Sequence, residues 1–362
     1  MNKVFHYHTV KVVAIMAGFP PDEAQTIAYA SQYTDDATEH KPIRIQNAPV
    51  EWVIPERYKK WQYFDPICTA HSAKSWHRKL WKWAKFYLKP SVQRRVLMPF
   101  HFIPGEAKAE NKEFDFVTRK NGTLAGLLIT NAKDSLLRAE TEDHRTFGLV
   151  KLGVAIHTYA DTWAHSGFSG RHSSLENDIE NIRTKKDSSV WEKFISHTVS
   201  FAAPDVGHAE ASDTPDISSI SWKARYANTR KTPKKIARDN TIEFLDASQR
   251  IFDHLKEVSP APSKSLPWEN FAKPLEACLR DEQNWPAAFN HQDVVFDYHR
   301  FKWRENALAG DSVDWDDFDN AKDFGKLQFQ CTGQDKRWFM FHKAAYEHRK
   351  FVLQRIPESW EV

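Results

Sequence analysis

The run from His144 to Gly170, HRTFGLVKLGVAIHTYADTWAHSGFSG, constrains this chain more than any other stretch. No proline interrupts it, and Gly167 and Gly170 supply the stop signal expected just past a helix end, so it predicts one helix of about six turns. At about 100° per residue, Val150, Gly153, Val154, Ala160, Asp161, Ala164 and His165 fall in a narrow stripe around His157. Leu152, Ala155, Tyr159 and Trp163 cover the opposite side, and only Lys151, Thr158 and Thr162 look wet. The pattern therefore predicts a central helix, covered nearly all round, with ionisable groups on its inner face.

Burying a carboxylate and two imidazoles costs several kcal/mol unless a charge pair or a metal ion compensates them. His157 and Asp161 are one turn apart, about 6 Å of rise, and can close on one ion, whereas His165 lies about 12 Å along the axis from His157. The spacing H-x3-D-x3-H thus predicts that the two histidines serve different ions, with Asp161 placed to bridge.

Composition narrows the classes. A chain of 362 residues with 41% hydrophobic content can build a large core, and a net charge of +3 does not suit a protein devoted to neutralising a nucleic-acid backbone. Three scattered cysteines, Cys68, Cys278 and Cys331, indicate neither a disulfide framework nor a cysteine zinc site, so zinc would have to be held by His and Asp. The N-terminal run VVAIMAGF is short and leads into Pro20 and Pro21 without a cleavage pattern, and no stretch is long enough to span a bilayer. The expectation is a soluble cytoplasmic protein, secretion by a signal-independent route aside.

Along the chain, residues 5–18 and the segment after Pro20 predict two helices, the second delivering Asp35 and Asp36 at its C-terminus. Acidic residues there face the unfavourable end of the helix dipole; they are either solvated or ligands. Residues 40–98 form an aromatic and basic insertion, within which residues 74–89 predict a helix bearing Trp76 and Trp83 amid lysines, suited to a membrane surface, a phosphate-bearing polymer or plain packing. RRVLMPFHFIPG predicts an extended segment positioning His101. Helices are expected over residues 122–140, near Val190 to Ala203, from Pro233 to about Val258, and in VVFDYHRFKWRENAL and RWFMFHKAAYEHRKFVLQRI, where His299, His342 and His348 look like packing or surface residues. The loop PDVGHAEASDTPD brings His208, Asp213 and Asp216 among small residues. Sustained alternation is rare, so the expected fold is all-α: one helical domain over 1–362, a multi-helix bundle around the central helix, with residues 259–362 as a C-terminal extension.

The candidate ligands are then His6 or His8, Asp35 or Asp36, His71 or His101, His157, Asp161, His165, His208, and Asp213 or Asp216. A His and Asp set almost without cysteine suits zinc or another divalent ion in hydrolytic service. H-E-x-x-H, a P-loop and G-x-S-x-G are all absent.

FHYHTV, AGFPPDEAQTIAYASQYTDD, PFHFIPG, HTYADTWAHSGFSG and GHAEASDTPD, in that order, resemble an uncharacterised bacterial domain family over most of the chain. More distantly, their order of ligands resembles the zinc-dependent phospholipase C and single-strand nuclease superfamily, which is all-helical with three clustered zinc ions. The resemblance implies His6, Asp35 or Asp36, and His101 as early ligands, His157 and Asp161 as the H-x3-D pair, and His165, His208 and Asp213 or Asp216 on the remaining ion. Asp35, Asp36 and Asp161 would stand closest to the chemistry. It further implies a zinc-dependent hydrolase of phosphoesters, in phospholipid or nucleic acid, with residues 74–89 as a peripheral membrane contact. Two other classes compete with the enzyme: a binding protein with a structural metal site, and a membrane-associating module.

Overall fold

The computed structural model describes residues 1–39, 41–54, 58, 63–70, 88–109, 113–186, 206–227, 235–285, 289, 296–311 and 327–358. A π-helical segment, Val4–Thr9, runs directly into α1, Val10–Met16, and α2 follows over Pro21–Asp36 with proline and two acidic residues in its first turn. Beyond a second π-helix, Gln93–His101, come α3 (Thr123–Leu137) and the central α4 (Glu142–Ala164). The C-terminal part holds α5 (Asn240–Lys256), α6 (Glu269–Arg280), α7 (Lys302–Ala307) and α8 (Arg337–Leu353).

α4 starts where Thr141 accepts a hydrogen bond from the His144 amide, and every residue from Phe147 to Ala164 except Lys151 is buried. Thr158 and Thr162, expected to be wet, are buried with their hydroxyls donating to the carbonyls of Phe100 (3.0 Å) and Tyr159 (2.7 Å). α2 packs tightly on α4 because Gly153 has no side chain: a Cβ there would lie 2.3 Å from the Ile27 carbonyl oxygen and 2.6 Å from the Ala30 Cβ. That close approach carries Asp35, at the end of α2, towards Asp161.

The chain is mostly helical, but it is not all-α. Strands β1 (Ile43–Gln46), β2 (Tyr63–Phe64), β6 (Leu308–Gly310) and β7 (Gln328–Cys331) form a four-stranded sheet in the order β2-β1-β7-β6. β3 (Ile179–Lys186), β4 (Ile220–Tyr226) and β5 (Lys235–Asp239) form a three-stranded antiparallel sheet. ISWKARY alternates strictly, burying Ile220, Trp222, Ala224 and Tyr226, and its partner β5 takes the first residues of what the sequence suggested was one long helix from Pro233. α5 therefore begins at Asn240, with the Asp239 carboxylate accepting from the Thr241 amide at 3.0 Å. Likewise VVFDYHRFKWRENAL is helical, among its described residues, only over α7 before entering β6, and RRVLMPFHFIPG is π-helical as far as His101 rather than extended. The helix expected near Val190 to Ala203, and residues 71–87 of the basic insertion, lie outside the described residues.

Three apolar clusters surround the centre. One joins α1, α3, α4, α5 and α6; a second packs the first sheet against α8 through Ile45, Phe64, Phe329, Trp338 and Phe339; a third lies on the second sheet. No described helix is long and apolar enough to cross a membrane.

Two expectations for stability follow from these contacts. Gly153→Ala should cost about 1–3 kcal/mol by forcing α2 away from α4, read as a lowered midpoint in denaturant unfolding. Burial pushes the His348 imidazole down to about 4, so it stays neutral in the fold while an unfolded histidine protonates near 6.5. Between those values the unfolded state binds more protons, so stability present above pH 6.5 is lost as pH falls towards 4, by about 3 kcal/mol for this group. Melting curves of the wild type and His348→Gln across that range should converge on acidification.

Candidate metal centre

Five histidines and three aspartates from five separated places converge into three groups, the first two sharing His157: His6, Asp35 and His157; His101, His157 and Asp161; and His165, His208 and Asp216. His6 sits on the N-terminal π-helix with its ring stacked on His157, centroids 3.9 Å apart. His101 is the last residue of the second π-helix, and His165 is the C-cap of α4. His208 follows Gly207, which has φ +57° and lies so close to Phe102 that a Cβ would sit 2.3 Å from its ring. Phe102 in turn stacks on His165, at 4.4 Å between centroids.

The spacing inside these groups is that of ligand atoms around an ion. Donors held about 2.0–2.1 Å from a tetrahedral zinc are about 3.3 Å from one another. His157 Nε2 lies 3.3 Å from His101 Nδ1 and 3.4 Å from Asp161 Oδ2, and His101 Nδ1 lies 3.2 Å from the same oxygen. Asp216 stands 3.0 Å from His165 Nε2 and 3.3 Å from His208 Nε2. Asp35 is set slightly wider, 3.7 Å from His157, 3.8 Å from His101 and 3.9 Å from His6.

Backbone carbonyls decide which ring nitrogen faces inward. His101 Nε2–H donates to the Thr69 carbonyl at 2.9 Å, His165 Nδ1–H to the His101 carbonyl at 2.6 Å, and His208 Nδ1–H to the Ser212 carbonyl at 2.9 Å. In the neutral rings the opposite nitrogen then carries a lone pair, aimed at carboxylate oxygens that are also acceptors. Such outward hydrogen bonds are the usual support of a metal-ligating imidazole. The outer nitrogens of His6 and His157 are buried without a partner among the described residues. The donor set thus fits divalent ions.

The chain itself also brings positive charge to the centre. The Met1 amine lies 2.5 Å from Asp161 Oδ1 and 3.0 Å from Asp216 Oδ1. Burial opposes its charge, but Asp161, Asp216 and Asp35 together raise it to about 11. Burial likewise works against the Asp161 and Asp216 carboxylates, yet the amine and the facing histidines hold both well below the usual range. Burial and the neighbouring His157 and Met1 amine push His6 well down, whereas for His101 and His208 the facing carboxylates outweigh burial and raise the imidazole. Asp35, 30% exposed, is the most open carboxylate of the centre, and burial of its surroundings lifts it to about 6.

His157 and His165 fall into different groups with Asp161 between them, its Oδ2 3.7 Å from His165 Nδ1. Asp36 and Asp213 are not drawn in. Asp36 accepts hydrogen bonds from Tyr298 (2.7 Å) and Gln32 (3.1 Å), and Asp213 is exposed. His8 packs against Trp285 and Phe296 instead, and His71 lies outside the described residues. The Thr69, Ser212 and His101 carbonyls went unread in the sequence, because backbone atoms leave no side-chain signature.

Fold and site define a mostly helical protein with two small sheets, whose buried His and Asp groups could hold metal ions. The chain belongs to a family of unknown function, DUF6765, which matches residues 1–356. No curated protein and no solved structure matches it.

A ligand that binds only the folded state stabilises it by about 2.7 kcal/mol at a hundredfold excess over its dissociation constant. Zinc should raise the melting temperature of the wild-type protein by at least that equivalent, a chelator should reverse the rise, and Asp161→Asn should abolish most of it.

Proposed function

We propose that this chain is a metal-dependent hydrolase of phosphoester bonds, with two or three divalent ions, zinc first among them, held by His6, Asp35, His101, His157, Asp161, His165, His208 and Asp216. The single observation that carries the reading is geometric: imidazole nitrogens, on rings whose other nitrogen is held by a backbone carbonyl, meet carboxylate oxygens at ligand-edge spacing. The order of these residues along the chain is like that of the phospholipase C and single-strand nuclease superfamily, which supports phosphodiesters as the substrate class.

Bound divalent ions would supply Lewis acidity and a water acidic enough to react near neutral pH. The protein's own share is separable from that. When neutral, His101, His165 and His208 are each held by a backbone carbonyl in the tautomer that turns a lone pair inward, so their rings would be pre-oriented for an ion. Asp161, almost fully buried, holds the two histidine groups in register. Asp35 faces both His157 and His101 from a partly open position, and its carboxylate Oδ atoms can take a proton from an entering water. Asp216, 21% exposed, faces His165 Nε2 at 3.0 Å.

Metal-loaded protein should cleave at least one of a chromogenic phosphodiester, a phospholipid dispersion and single-stranded DNA, and Asp161→Asn should lower that rate by more than about a hundredfold. Inactivity on all three with metal stoichiometrically bound would overturn the hydrolase and leave a structural centre.

A further inference from the structure

A second charged site lies at the other end of the π-helix that ends in His101. A cleft of about 580 Å³ is bordered by Arg94, Arg95, Lys108, Arg349, Lys350 and Glu358. Its cations come from three segments: the start of the Gln93–His101 helix, the loop containing Lys108, and the last turns of α8. These segments are tied together. The Lys108 amide donates to the Arg355 carbonyl at 2.7 Å, and the Arg94 guanidinium donates to the Pro357 carbonyl. The cleft is therefore held by one backbone hydrogen bond and by one of the arginines that line it.

Among the described residues that line the cleft, five cationic side chains stand against one carboxylate, and gathering them in a concave site concentrates the field that an anion would feel. Three of them are arginines, whose planar guanidinium can meet two oxygens of one phosphate at once. Tyr346 and Leu353 also line the cleft, giving it a hydroxyl and an apolar surface beside the charges. We propose that this cleft binds an anion carrying two or more phosphate groups, or a phosphate-bearing headgroup of equal charge. The site is separate from the metal centre and does not rest on the hydrolase reading: the cleft residues are not among the candidate ligands. An occupant would clamp α8 to the π-helix whose last residue is His101.

The test is calorimetric titration of inorganic pyrophosphate into the full chain, into Asp161→Asn, and into a variant combining Arg95→Gln with Lys350→Gln. Arg95 and Lys350 are exposed, so their replacement leaves the packing intact. Pyrophosphate should bind the wild type and Asp161→Asn alike, and at least tenfold more weakly to the double variant. Co-sedimentation with phosphatidylcholine vesicles, with and without phosphatidic acid, separates the two sources: binding to the acidic vesicles that is lost in the double variant assigns the headgroup, and pyrophosphate binding without it assigns the free anion. Failure of both probes, or pyrophosphate binding lost in Asp161→Asn and kept in the double variant, would overturn the proposal.

Discussion

The structure depends on how charge is balanced around Asp161. Its carboxylate is 1% exposed, and its two oxygens face His6, His101, His157 and the Met1 amine within 3.4 Å. A carboxylate in that setting is tolerable only if positive charge arrives with it. Protons on histidines and the amine can supply it, and so can ions. The two solutions differ in what they ask of the rings. A protonated imidazole donates from both nitrogens, whereas a ligating one must donate outward and accept inward, and the carbonyls of Thr69, His101 and Ser212 fix the outward bond in three of the five histidines. Metal binding would release the protons these rings otherwise gain.

The two sheets matter because the segments in and beside them hold the ends of the helices and the turn that carries Asp216. Beyond β2 the chain reaches Thr69, whose amide donates to the Ala37 carbonyl (2.9 Å) and whose hydroxyl donates to the Thr34 carbonyl (2.7 Å). That pins the end of α2, with Asp35, beside His101. On the other side, Arg238 of β5 donates to the Ala164 carbonyl at 2.9 Å, putting a cation at the C-terminus of α4 where His165 sits. Asn240 donates to the carbonyls of Thr214 and Ile217 and accepts from Trp222 of β4, which holds the turn bearing Asp216. The elements missing from an all-helical expectation thus help to hold the end of α4 and the turn of Asp216 in place.

What the sequence made legible was whatever recurs with a period or a spacing. α4 was readable because its apolar residues cover every face, and His157 with Asp161 because one helical turn separates them. His208 and Asp216 could be grouped by loop composition, though nothing in SDTPD separates Asp216 from Asp213; the turn Thr214–Asp216 makes that choice. Nor could Asp35 be told from Asp36, since the rotation of α2 on Gly153 selects one for the centre and leaves the other to Tyr298. ISWKARY alternates as a strand should, but one short run is not sustained alternation in a helix-rich chain.

The least legible element explains the most about the centre. π-helices are rare and collect at functional sites, yet here two of them, Val4–Thr9 and Gln93–His101, each carry a histidine of the metal groups. No propensity predicts that geometry; tertiary partners have to stabilise it. In the second, the last three carbonyls, which a helix leaves unpaired, are each taken by a side chain. Pro99 accepts from His348 Nε2 (2.8 Å), Phe100 from the Thr158 hydroxyl (3.0 Å), and His101 from His165 Nδ1 (2.6 Å). Two of those donors belong to α4 and its cap, and the third to α8. The central helix therefore fixes His101 through its backbone as well as facing its ring, so the two histidine groups are joined by a direct hydrogen bond from His165 to His101 in addition to the shared aspartate. A change in the occupancy of one group would be felt by the other through that bond.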